Sequence, residues 1–144
     1  MSDVQLGGSL TLAGARKVMD AAMTEAQRRG VRICVAVSGP AGDLLTLARM
    51  DGVAPLAAET ARRKCWSVAI TRKATSEFGI GLKADLALEP ELFHGMLKIG
   101  DMVAIAGGVP VVSGGILVGA VGVSGATSDE DHSIAALAAA VITD

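Results

Sequence analysis

The chain has 144 residues, is 51% hydrophobic, carries a net charge of −2 and has a mean hydropathy of +0.49. That is the length of one domain, with more apolar surface than a core of this size usually takes up, so a subunit interface is expected. A weakly acidic chain with one Trp, two Phe and no Tyr excludes nucleic acid as a primary partner, and no glycine-free apolar run reaches the roughly eighteen residues of a membrane span.

Residues 1–10 read as a flexible lead and 11–144 as one domain. The lead lacks the basic-then-apolar order of an export signal, which makes the cytoplasm the expected setting. Thr11 can cap a helix whose apolar positions Leu12, Ala15, Val18, Met19, Ala22, Met23 and Ala26 recur at a 3.6-residue period. Arg28 and Arg29 suit its negative end, and Gly30 stops it. Residues 33–37 are continuously apolar, as in a strand covered on both faces. A turn at 38–43 returns the chain as a second strand over 44–50. Pro55 opens a helix to about Lys73, with Ala57, Ala61, Cys65 and Val68 inward. Residues 75–100 read as short helical pieces, one of them starting at Glu89-Pro90-Glu91, and 103–106 as a brief strand. Residues 107–127 read as a β-hairpin turning at Ser113-Gly114-Gly115, because glycine supplies the positive φ of a short connection. The last element is an alanine-rich helix from Ser128 to about Ile142, with Thr127 and Glu130 spaced as a capping box. The fold class is α/β (α+β): a single antiparallel sheet flanked by helices.

Several residues stand out chemically. In the second strand of the hairpin, Gly119, Ala120, Gly122 and Ser124 alternate with larger side chains, so a helix, another backbone or a flat ligand can come close. Amides between Gly125 and Thr127, at a helix start, could hold a carboxylate, although a tight packing corner explains the same pattern. Lys64 falls at the edge of an apolar helix face, where a lysine either binds an anion with a lowered pKa or runs its stem along the face to water; the second reading is favoured. Arg49 and Asp51 close a strand before a loop, as a fork for a carboxylate or as an ordinary surface pair. His94, between Phe93 and Gly95, suits proton transfer or iron ligation, or is merely structural. With His132 as the only other histidine, a multi-histidine zinc site within one chain is not expected. Cys34 and Cys65 match no CxxC spacing and are expected as free thiols. The glycines at 79–81 lack the spacing of a phosphate loop, and no HExxH, GxSxG or paired-carboxylate motif is present.

Three segments, LTLAGARKVMDAAMTEAQRRGV, ICVAVSGPAGDLLTLARMDG and GGVPVVSGGILVGAVGVSGAT, together resemble the GlcG/HbpS family, which also includes the C-terminal domain of PduO proteins. The likeness spans about residues 10–142 in matching order. It implies one α/β domain assembled into homo-oligomers, commonly octamers. Some members bind haem, and others sit beside genes for organic-acid catabolism. This chain departs from the secreted haem binders in having no export signal and no tyrosine.

Three functions are therefore weighed. The first is an oligomeric binding protein for haem or a similar carboxylated cofactor. The hairpin face would take the ring, Arg49 and Lys64 the carboxylates, and His94 the iron, with Asp51, Gly108, Gly125 and Thr127 completing the ligand site. The second is a small lyase, hydrolase or isomerase acting on an organic or aromatic acid. There Arg49 and Lys64 would anchor the carboxylate, His94 would move a proton, and amides at 125–128 would stabilise developing charge. The third is a structural oligomeric partner with no ligand of its own.

Overall fold

The computed structural model describes residues 2–5 and 7–143. Its centre is a four-stranded antiparallel sheet of β3 (Cys34–Ser38), β4 (Leu44–Arg49), β5 (Gly108–Ser113) and β6 (Ile116–Ser124), in spatial order β4-β3-β6-β5. The fold class agrees with the sequence, but the expectation of a single sheet is corrected. A separate two-stranded hairpin, β1 (Val4–Gln5) with β2 (Ser9–Leu10), forms inside the stretch read as a flexible lead. Leu10 is fully buried and the Thr11 amide donates to the Asp3 carbonyl at 2.9 Å, so these residues dock on the domain.

Alternation along the strands decides which helix covers which face. Val35 and Val37 of β3 and Val121 and Val123 of β6 point into the larger core with α1 (Leu12–Arg29) and α5 (Ser128–Ala139). Cys34, Ala36 and Ala120 point the other way, against Ala57, Ala61, Cys65 and Val68 of α2 (Leu56–Thr71). Small residues there bring helix and sheet backbones close together. A methyl group on Gly122 would sit 2.1 Å from the Ala61 carbonyl oxygen. The thin strand thus receives a helix, not a ligand.

Local signals set several boundaries. Thr11 accepts from the Gly14 amide, and Gly30 closes α1 in the left-handed conformation. Gly114 and Gly115, at φ 56° and 76°, turn the β5–β6 hairpin. Two departures come from the middle of the chain. Residues 75–88 form one continuous helix, α3 (Thr75–Leu88), followed by the short α4 (Pro90–Met96). The strand expected over 103–106 does not form: these residues lie as an irregular segment on α3, where the bare Cα of Gly79 lets the Ala104 carbonyl approach, and Gly107 bends the chain at φ 130°.

Candidate functional site

Lys64 lies on the face of α2 that meets β6 and is 2% exposed. Its Nζ donates to the Val123 carbonyl at 2.7 Å and stands 3.5 Å from Asp131 Oδ2. The other carboxylate oxygen, Asp131 Oδ1, accepts from the Ala126 amide at 3.0 Å. Burial pushes the lysine pKa down, which Asp131 counteracts; burial likewise pushes the carboxyl up, which Lys64 counteracts. Gly107 makes room, since a methyl group there would fall 2.6 Å from Nζ. Lys64 therefore neither runs to water nor presents its ammonium to solvent. It holds the start of α5 against α2 and β6, and the role of carboxylate anchor does not fit its surroundings.

Gly108 and Thr127 are also bonded within the chain. The Gly108 amide donates to Thr75 Oγ1, a buried bond of 2.9 Å. Thr127 accepts from the Glu130 amide, donates to Glu130 Oε1 and receives that carboxylate on its own amide, so its polar groups are engaged in the capping box. Gly125 turns the chain at φ 118° beside the Arg32 carbonyl.

In front of that helix start lies a cleft of about 390 Å³, between Ser76, Gly79, Ile80 and Lys83 of α3, the 104–106 segment, and Ser128 and Asp129. Beside it, Ser76 Oγ lies 3.4 Å from His132 Nδ1. Of the expected helix start at 125–128, Ser128 borders this cleft. Ser76 and His132 were missed as a pair because nothing in the spacing joins residues so far apart in the chain.

Arg49 and Asp51 come together elsewhere, in a depression of about 320 Å³ at the end of β4, with Gln27, Arg32 and Met50. Arg49 Nη1 donates to the Val53 carbonyl at 2.9 Å, and Arg32 Nη1 to the Asp51 carbonyl at 3.4 Å. Arg32 escaped notice in the sequence because only the antiparallel register, Cys34 opposite Arg49, brings it near.

His94 is exposed on α4, which buries none of its residues, and its ring meets Phe93 edge to face at 5.2 Å. Next to α4 an apolar crevice of about 280 Å³ is lined by Ile70, Phe78, Met96, Ile99 and Met102, with Lys73 among its polar walls. The site residues expected from sequence are thus not gathered into one place. They divide among the buried pair, the β4 depression, the α5 start and the exposed α4. The hairpin face expected to seat a ring is covered by α2 on one side and by α1 and α5 on the other.

A four-stranded antiparallel sheet with helices on both faces makes this a small α/β domain of a recognisable class. The family model described as haem degrading protein HbpS-like matches residues 10–140, and the chain belongs to that family. Protein GlcG of Escherichia coli K12 is 34% identical over 113 residues, covering 76% of this chain and 77% of that protein. The crystal structure of a double mutant of Streptomyces reticuli HbpS superposes with a TM-score of 0.81 at 32% identity, covering 99% of this chain and 92% of that one. The crystal structure of a PduOC:heme complex superposes with a TM-score of 0.79 at 28% identity, covering 93% and 95%.

Proposed function

We propose that this protein is a cytoplasmic, homo-oligomeric binding protein for haem or a similar carboxylated planar cofactor. The observation that carries the reading is the exposed imidazole of His94 on α4, the helix whose Met96 lines an apolar crevice. The likeness to a haem complex over nearly the whole chain supports it. In this reading His94 would take the iron, Phe78, Met96 and Ile99 would meet the ring, and Lys73, which makes no ion pair among the described residues, would meet a propionate. Haem, when bound, would supply an iron centre that an imidazole can ligate. Arg49 and Asp51 remain candidates for carboxylate recognition from another face of an assembly.

An octamer fits the exposed apolar surface. Leu88, Ile80 and Leu56 are 87%, 72% and 71% exposed, and a crevice of 280 Å³ is too shallow to enclose a macrocycle without a second copy. Among the described residues no helix is long and apolar enough to cross a membrane. The two buried free thiols suit a reducing compartment.

The test is a haem titration followed at the Soret band, with His94→Ala in parallel and the mass measured by light scattering. Saturable binding, a shifted band in the variant and a particle about eight times the 14.5 kDa chain are expected. Absence of saturable binding ends the haem reading. Arg49, which makes no ion pair among the described residues, then favours from its depression the second reading, a small enzyme acting on an organic or aromatic acid. In that case His94 would act as acid or base on a site completed between subunits.

A further inference from the structure

Four of the eight arginines form ion pairs among the described residues. Arg28 and Arg29 pair with Glu25, Arg62 with Glu59 and Asp101, and Arg63 with Glu59. Arg32 and Arg49 make no ion pair among the described residues, yet both line the depression at the end of β4. Each is held in place by a backbone carbonyl: Arg49 by Val53 and Arg32 by Asp51. Gly52 contributes to the seat of Arg32. Its φ of 84° shapes the turn, and a methyl group on it would lie 2.5 Å from Arg32 Nη1.

One carbonyl bond uses one of the five N–H groups of a guanidinium. Two guanidinium groups with N–H groups to spare, positioned before any ligand arrives, suit a planar or tetrahedral oxyanion, because forked donors match its oxygens and little side-chain ordering remains to be done. Asp51 is the one carboxylate on the wall and pairs with neither arginine, so the depression keeps an excess of one positive charge. Gln27 adds a neutral amide at the last turn of α1.

We infer that Arg32 and Arg49 form a binding site for the oxyanion group, carboxylate or phosphate, of a small molecule. The site does not depend on His94 or on haem, and its ligand is recognised by charge and fork geometry alone. The experiment is a calorimetric or NMR titration of the intact protein with malonate and, separately, inorganic phosphate, each up to about 10 mM, the millimolar range in which a small anion held by few contacts binds. Saturable binding is expected for at least one of them, and the stronger identifies the kind of oxyanion. Arg32→Ala and Arg49→Ala should each weaken it by at least about tenfold, and Arg49→Lys, which keeps charge and loses the fork, by less than Arg49→Ala. Arg16→Ala, on the exposed side of α1, makes the same change in net charge and should leave binding intact. No saturable binding of either anion, or equal loss in Arg16→Ala, overturns the site. Arg32 and Arg49 are both exposed, so circular dichroism should show the variants folded.

Discussion

Lys64 shows how much one side chain can depend on residues far away in the chain. Its position at the edge of an apolar helix face was legible; its depth was not. Depth comes from Gly107 and Gly122, which add no side chains above it, and from Asp131, which arrives on another element. Removing one partner of a buried pair strands the other charge, so Lys64→Met should cost about 3–5 kcal/mol. Lys64→Met combined with Asp131→Asn removes both charges and keeps an acceptor for the Ala126 amide. The double variant should therefore lose less than the sum of the singles, by about 1–3 kcal/mol. Urea unfolding of the four proteins measures this coupling, and strict additivity would show that the pair does not act as one unit.

Helix ends were the most legible elements. Thr11, Gly30, Thr127 and Glu130 each announce a boundary through chemistry confined to one turn, and the structure puts caps at those places. The α3 helix was harder because Gly79 and Gly81 weaken its local signal, while Gly79 is present for the distant Ala104 carbonyl. The apolar run at 103–106 misled for the matching reason: its partner is that helix and not a strand. Thr127→Ala removes the side-chain half of the capping box, leaving the Glu130 carboxylate on the residue-127 amide, and should cost about 1 kcal/mol. Because α5 leans on the Lys64 pair through Asp131, hydrogen exchange in its first turn should quicken more than the global loss accounts for. Uniform quickening over all elements would argue against a local effect.

At the scale of the whole molecule, composition foretold an apolar surplus, and the structure places much of it on α3, α4 and the segment after them. Acid sensitivity is also a whole-molecule property. Glu25 is bound by both Arg28 and Arg29, and these hydrogen bonds hold its pKa down to about 2 from an ordinary 4.5. Arg29 also reaches Ser133 of α5 at 2.9 Å, tying the two helices that cover one face. A carboxyl with a lowered pKa contributes stability that is present above about 4.5 and is lost as pH falls toward about 2. Glu59, held to about 2 by Arg62 and Arg63, adds to the same limb. Unfolding midpoints measured across that range should fall less steeply in Glu25→Gln than in the parent. An unchanged slope would place the acid sensitivity elsewhere.

The contact between α2 and the β5–β6 strands sets where this chain can change. At Gly108 an added methyl group would come within 2.9 Å of the Lys64 carbonyl, and at Gly122 within 2.1 Å of that of Ala61, so drift there is met by backbone that cannot yield. α4 buries nothing, and α3 buries few of its residues. Substitutions there change the surface without disturbing the framework beneath. Mutational tolerance is thus concentrated in one region of the fold, whose surface can be rewritten while the sheet stays as it is.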